Sequence, residues 1–368
     1  MSPETTEPSF GAIPSPVDDR DWTLASVGAS VAYPDACFID QDFLRVTNQG
    51  KIGSCVGNTF ESIVRKIFYE KTGVQEELSW RFIYAVCKSL DGFAGEGTYP
   101  SLAAKVVRTY GVPLARYCPN TITLDHETFV YNRSLQNIPQ EAFDDAKTRK
   151  AGADFTVPTT EEGIKQAVNY AKANNGGVAI LRRIGDTYWR GVDGVSTYDK
   201  AKLLPMRPTD VIVSGHEEFL YGYDKEPQTG RMRIYWLNSW SPQWCSTKGT
   251  TADGGRGWEY FDVWQKHTVE LRVTVAEAPF VNNFRYTFAK ALGVGAKGSD
   301  VVALQHVLKL EGCFDYPTFT GYYGEITRAG VKKLQEKYAD QILKPLGMTF
   351  GTGYFGSSTI KWVNGKYK

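Results

Sequence analysis

The sequence predicts an α+β domain whose chemistry sits in a cleft between a helical half and a β-rich half, followed by a small all-α domain. Three observations carry this reading: apolar residues at helical spacing after Cys55, two strand-like runs beyond residue 210, and a change of character near Ala276-Glu-Ala-Pro-Phe280. With 368 residues, 42% of them apolar and 23% charged, the chain has length for more than one globular domain.

Taken in order, Phe60, Ile63, Val64, Ile67 and Phe68 form one helical face that ends at Gly73, a residue suited to a left-handed C-terminal cap. Leu102, Val106 and Tyr110 mark a short helix before Gly111. Thr159-Thr-Glu-Glu162 resembles a capping box ahead of Ile164, Val168 and Ala171, and Asn174-Asn-Gly-Gly177 closes that helix before a short strand, Val178 to Leu181. Val211 to Asp224 and Arg231 to Trp240 then read as strands. A helical half followed by a β-rich half places a cleft between them, where binding sites are common.

Gln49-Gly-Lys-Ile-Gly-Ser-Cys55 carries the chemistry of the first half, an amide six residues before a cysteine that opens a helix. Free N–H groups and the positive end of the helix dipole favour a thiolate there, and the thiolate is the nucleophile. The Gln49 amide and the Cys55 backbone N–H could hold an oxyanion. His216, in Ser-Gly-His216-Glu-Glu, supplies a base, and Asn238, in Leu-Asn238-Ser-Trp240, can orient it while Trp240 shields the bond between them.

These segments resemble the papain-like (C1) cysteine peptidases over roughly residues 18 to 275. The family's pattern appears as Gln49 to Cys55, Gly215-His216 with Gly222-Tyr223, Asn238-Ser239-Trp240, and Gly255-Arg-Gly257-Trp258-Glu-Tyr-Phe261. The resemblance implies a two-subdomain peptidase fold, nucleophile Cys55, general base His216, orienting Asn238 and oxyanion donor Gln49, with a peptide or protein as substrate and no metal or organic cofactor. It also implies that Gly95 and Gly97 belong to a Gly-rich strip whose backbone pairs with an extended substrate, against the plainer reading of a flexible loop. Glu217 falls where the family usually has a small residue lining the pocket for the second residue upstream of the scissile bond. Either it favours a cationic side chain there or it is a solvated surface residue. Val56 and Ser241 depart from the family's Trp and Gly.

The six cysteines cannot all pair internally if Cys55 is free, and a mainly reduced protein is expected, with Cys87 and Cys118 the pair to check first. No Cys-x-x-Cys spacing suggests a structural zinc. No run approaches the roughly 18 apolar residues of a membrane span. The start, Met-Ser-Pro-Glu-Thr-Thr-Glu-Pro, lacks the pattern of a signal peptide. Residues 1–17 read as a flexible segment, and the 48 residues before Gln49 leave no room for a prodomain of the usual family length, so zymogen control is not expected.

Past a linker at 276–285, residues 286–368 contain a repeat, Thr320-Gly-Tyr-Tyr-Gly-Glu-Ile-Thr327 and Thr352-Gly-Tyr-Phe-Gly-Ser-Ser-Thr359, flanked by helices. Leu292, Gly293, Gly298, Asp300, Val301, Leu304, Gln305 and Leu308, with Thr320 to Gln335, resemble the three-helix peptidoglycan-binding domain of bacterial and phage wall enzymes. His306 reads as structural. From Arg285 onward, twelve Lys and Arg face six Asp and Glu, a net of +6 that leaves −5 for the rest. A basic tail suits anionic wall polymers; no nucleic-acid motif accompanies it.

The expectation is therefore a cysteine endopeptidase held at bacterial peptidoglycan, with neither nucleic acid nor membrane as partner, and compatible with a phage lytic or virion-associated enzyme. The alternatives are a wall-anchored protease acting on proteins and a catalytically silent wall-binding or virion protein.

Overall fold

Helix α1 (Cys55–Thr72) is buried from Cys55 to Ile67, too completely for a surface helix, so it forms the spine of the helical half. Burial of Phe60, Ile63 and Ile67 contributes about 1.5–3 kcal/mol for each side chain. It stops at Gly73, whose φ of 69° closes the last turn through its N–H to the Tyr69 carbonyl at 2.7 Å. Helices α2 (Trp80–Leu90) and α3 (Pro100–Thr109) pack beside it; Ser79 caps α2 by accepting from the Phe82 N–H, and Pro100 opens α3. The structure is a computed structural model that describes residues 11–18, 21, 23–24, 33–39, 45–121, 131–185, 212–242, 244, 254–276, 285–314 and 319–367. Cys245 and most of the expected linker lie outside those residues.

A short helix, α4 (Gln140–Ala146), leads on to α5 (Glu161–Ala173). The cap of α5 is Thr160, one residue later than the capping-box pattern suggests, with its hydroxyl accepting from Gly163 N–H at 3.0 Å. The β-rich half is an antiparallel sheet of β1 (Cys37–Phe38), β2 (Asp154–Thr156), β3 (Gly176–Gly185), β4 (Ile212–Lys225), β5 (Met232–Leu237), β6 (Arg256–Tyr260) and β7 (Thr268–Val275). Its order is β2-β7-β3-β4-β5-β6, with β1 paired to β4.

Strand β3 outruns the apolar stretch Val178–Leu181 because Arg182, which breaks the hydrophobic pattern, is neutralised inside the sheet. Its guanidinium bonds Glu218 at 2.7 Å and Glu259 at 3.1 Å and lies over the Trp236 ring. Two ion pairs and a π-face make burial of that charge tolerable. On β4, side chains alternate, so His216 and Glu218 share one face while Glu217 and Phe219 share the other.

The chain divides into two compact units, whose described residues lie within 11–276 and within 285–367. The second unit has α6 (Ser299–Leu310), α7 (Glu325–Lys337) and α8 (Ser357–Tyr367) around Val301, Leu304, Leu308, Val331, Leu334 and Val363. The repeat seen in the sequence is a repeat of hydrogen bonding. Gln305 accepts from Gly321 N–H and donates to the Thr327 hydroxyl, and Gln335 accepts from Gly353 N–H and donates to the Thr359 hydroxyl. His306 is buried against the Phe319 ring, a packing role.

Glu311, just past α6, gathers the ammonium groups of Lys337 and Lys366 and the hydroxyls of Tyr338 and Tyr367. Burial alone would raise its carboxyl, but these donors outweigh it and hold the pKa at about 2. A carboxylate depressed on folding stabilises above its unfolded value near 4.5 and loses that contribution as pH falls towards 2. In calorimetry of the full chain, Glu311→Gln should lower the melting temperature at pH 7 and remove part of the acid sensitivity between pH 4.5 and 2.

Candidate active site

The loop 48–54 is wound tightly into α1. Gly50 takes φ 59°, its N–H bonds the Asn48 side chain at 2.9 Å, and Ser54 N–H bonds the Ile52 carbonyl at 2.7 Å. Glu96 ties the loop down by accepting from Gly53 N–H at 2.6 Å and from the Tyr84 hydroxyl at 2.9 Å. Cys55 is thereby the first residue of α1, and Ser54 makes no side-chain cap bond. The loop leaves the N–H groups of the first turn directed at the position of the thiol.

A seam joins this loop to the strand end that carries the asparagine. Gln49 N–H donates to the Ser239 carbonyl at 2.8 Å, Asn48 and Trp240 form an antiparallel bridge, and Ser241 N–H donates to Thr47 at 3.0 Å. The fully buried Gln49 side chain is held at both ends. Its oxygen meets the Ser239 hydroxyl at 2.5 Å, and its nitrogen donates to the Ile52 carbonyl at 2.9 Å. One N–H of the amide is therefore engaged by the loop. Ser241 adopts φ 80°, the left-handed region in which its Cβ costs about 1–2 kcal/mol, which gives a physical reason for the glycine expected there.

His216 and Asn238 meet at 2.8 Å through Nε2 and Oδ1. The amide orientation is fixed, because Oδ1 also accepts from the Ser239 backbone N–H at 2.7 Å and a backbone N–H can bond only an acceptor. Nε2 must then carry the hydrogen, leaving Nδ1 as the basic nitrogen. Trp240 stacks on the imidazole with ring centroids 4.5 Å apart and is itself edged by Trp244. Trp240, which the sequence reading also places among the substrate-contacting residues, is 6% exposed beside the imidazole.

The sequence reading did not foresee what lies over the thiol. Residues 11–15, part of the segment expected to be flexible, run through the site. Ala12 N–H donates to the Gly215 carbonyl at 3.2 Å, Thr98 N–H donates to the Gly11 carbonyl at 2.8 Å, and Ile13 N–H donates to the Thr98 carbonyl at 3.0 Å. Farther along, Ser15 N–H donates to Glu270 at 2.9 Å. Cys55 and His216 are both fully buried. The backbone that pairs with this strap is that of Thr98. Gly97, at φ 89°, gives it room, since a Cβ there would fall 2.2 Å from the Gly11 carbonyl oxygen. Gly95 lies against the Phe93 ring, and among the described residues its backbone makes no such pairing.

Burial overrides the helix terminus. It drives the Cys55 thiol up to about 12, against N–H groups of Glu217, Gly11 and Val56 that favour the thiolate. It also drives His216 down to about 3, opposed by the Asn238 bond and reinforced by Arg182. In this closed state burial favours a neutral thiol and a neutral imidazole over the thiolate that the position of Cys55 suggests. Glu217 is no solvated surface residue. It is 1% exposed, neither carboxyl oxygen has a hydrogen-bond partner among the described residues, and burial, with the charge of Glu270 next, pushes its carboxyl well up. Glu217 and Glu270 are both cross-strand partners of Leu181, so they stand in one row across β4, β3 and β7. Glu270 carried no sequence signal, because only strand register brings it into that row.

Cys37, Cys55, Cys87, Cys118 and Cys313 are all free, so the candidate pair Cys87 and Cys118 is unbonded. Cys118 instead accepts from Arg81 at 3.4 Å. Among the described residues no helix is long and apolar enough to cross a membrane.

Among solved structures, xylellain, a cysteine protease from Xylella fastidiosa, is similar with a TM-score of 0.57 at 18% identity, covering 73% of this chain and 96% of that one. The proCathepsin B S9 of Trypanosoma congolense is similar with a TM-score of 0.51 at 12% identity, covering 73% and 85%. The fold is therefore the papain-like α+β fold, with its helical half and its antiparallel half. Residues 297–339 match the family described as "Putative peptidoglycan binding domain", which points to association with the cell wall. No curated protein matches the sequence.

If the strap is what holds the thiol neutral, deleting residues 1–15 should raise the alkylation rate of Cys55 at pH 7.5 on the order of a hundredfold, as thiolate fraction grows tenfold for each unit its pKa falls. Mass spectrometry of the labelled peptide, with Cys55→Ala as blank, checks this. Separately, Ser241→Gly should stabilise the first unit by about 1 kcal/mol in denaturant titration.

Proposed function

We propose that the chain is a cysteine endopeptidase that hydrolyses peptide bonds through a thioacyl-enzyme and is held at bacterial peptidoglycan by its C-terminal unit. The observation that carries this is the fixed His216–Asn238 pair. A clamped amide that can only accept at Nε2 presents a basic Nδ1, in a fold where the seam sets Gln49 beside the helix that Cys55 opens.

In the open enzyme, Cys55 gives its proton to His216 and attacks the substrate carbonyl. The second N–H of Gln49 and the Cys55 backbone N–H stabilise the oxyanion, and the imidazolium protonates the leaving amine. Water deprotonated by neutral His216 then attacks the thioester and releases the acid, regenerating the thiol. On this reading the strap keeps the covered form latent, a control for which the sequence carried no signal. Displacement of residues 11–15 rehydrates both groups and returns their pKa values towards the working range.

Once the strap is displaced and Glu217 is rehydrated, its carboxyl is suited to a cationic side chain, such as the amino group of a diamino acid, while Glu270 in the same row is engaged by Arg272. A second reading, a wall-anchored protease acting on proteins, is favoured by the strap itself, an extended L-peptide pairing with the Thr98 backbone.

Strap-deleted enzyme incubated with purified sacculi and with casein separates these readings. New amino termini from sacculi alone support the wall hydrolase, and termini from casein alone support the anchored protease. Silence on both substrates would sink the peptidase. Cys55→Ala should abolish activity, Asn238→Ala should lower kcat/KM on the order of a hundredfold, and Glu217→Gln should reduce the preference for a cationic residue without a comparable loss on neutral substrates.

A further inference from the structure

The two Thr-Gly-Tyr-aromatic-Gly turns of the C-terminal unit use their two aromatics differently. The second aromatic of each, Tyr323 and Phe355, is fully buried, and the Tyr323 hydroxyl donates to the Gly353 carbonyl of the other turn at 2.7 Å. The first aromatic of each is not needed for that anchoring. Tyr354 is 53% exposed and Tyr322 is half-buried.

Both outward rings are nonetheless confined by glycine backbone. A Cβ on Gly324 would lie 3.1 Å from the Tyr322 ring, and Cβ atoms on Gly356 and Gly293 would lie 3.2 Å and 3.1 Å from opposite edges of the Tyr354 ring. One segment connects the two positions: Leu292 bridges to Phe355, Lys297 bridges to Tyr322, and Val294 between them is 57% exposed. Five residues of chain span at most about 18 Å. Lys297 also holds its ammonium 5.7 Å from the Tyr322 ring centre.

The less buried ring at the same place in both halves of a repeat, the two positions joined by a segment with exposed Val294 and Lys297, fits a ligand that itself repeats. We infer that Tyr322 and Tyr354, with Val294 and Lys297 between them, bind the glycan of the wall polymer, each phenol stacking on the C–H face of a sugar. The negative face of an aromatic ring attracts polarised C–H groups, and confinement by glycine lowers the entropy lost when the ring is covered. Lys297 is placed to meet a carboxylate of the polymer. This rests on the wall-binding reading above.

The test uses the full chain carrying Cys55→Ala, which prevents digestion, with intact sacculi and with glycan strands stripped of their peptides. Wild-type turns should bind both. Each of Tyr322→Ala and Tyr354→Ala should weaken binding about fivefold to tenfold, and the double variant by more than tenfold on both ligands, with the melting temperature unchanged. The double Tyr→Phe variant, which keeps the rings, should bind within about twofold of wild type. Undiminished binding of stripped glycan by the double alanine variant would overturn the proposal, as would binding of intact sacculi but not of stripped glycan, which would make peptide the ligand. Failure to bind intact sacculi at all would bring down the wall-binding reading and this proposal with it.

Discussion

The first unit depends on the seam between residues 47–49 and 239–241. Two backbone hydrogen bonds there, which together make the Asn48–Trp240 bridge, hold the loop that feeds α1 against the end of the strand run that carries Asn238. Ser239 serves both sides of it: its N–H fixes the Asn238 amide, its carbonyl receives Gln49 N–H, and its hydroxyl meets the Gln49 side chain. Orientation of the Asn238 amide that holds His216 and orientation of the Gln49 amide are thus one mechanical problem, solved by one residue. Loosening the seam would misalign both sets of groups together, and such coupling makes single-residue effects non-additive.

That rigid frame explains how the site tolerates being closed. Taking a thiol and an imidazole out of water is inexpensive when both stay neutral, and the pKa directions at Cys55 and His216 describe that condition. Nearby carboxylates follow the same rule. Glu217, buried without a hydrogen-bond partner among the described residues, is pushed towards its neutral form, whereas Arg182 keeps company with Glu218 and Glu259 and retains its charge.

Much of this was legible in the sequence where the signal was local. The helix face after Cys55, its end at Gly73, the strands around His216 and Asn238, and the paired turns of the C-terminal unit all follow from spacing and from glycine placement. What was not legible depends on distant contacts. Nothing in Gly11-Ala-Ile-Pro marks it as a strand partner for Thr98, because its own hydrophobicity is slight and its hydrogen bonds are all to residues far along the chain. Glu270 was hidden for the same reason. Burial of Glu217 could not be read from a charged residue type that is rarely found inside. Dipole arguments for a thiolate at Cys55 assume an accessible helix end, and the cover over that end, which pushes the thiol up, was not legible in the sequence.

The strap's path is bounded by bare backbone on three sides. A Cβ on Gly11 would fall 1.9 Å from the Gly53 carbonyl oxygen, one on Gly97 would fall 2.2 Å from that of Gly11, and one on Gly215 would fall 2.2 Å from that of Ala12. Such a slot admits one alignment. A slip by one residue would thrust either Phe10 or Ala12 into the space that only glycine fits. The closure therefore has no ladder of partly shifted states through which to leak: it is seated or it is out, and the opening behaves as a latch and not as a valve.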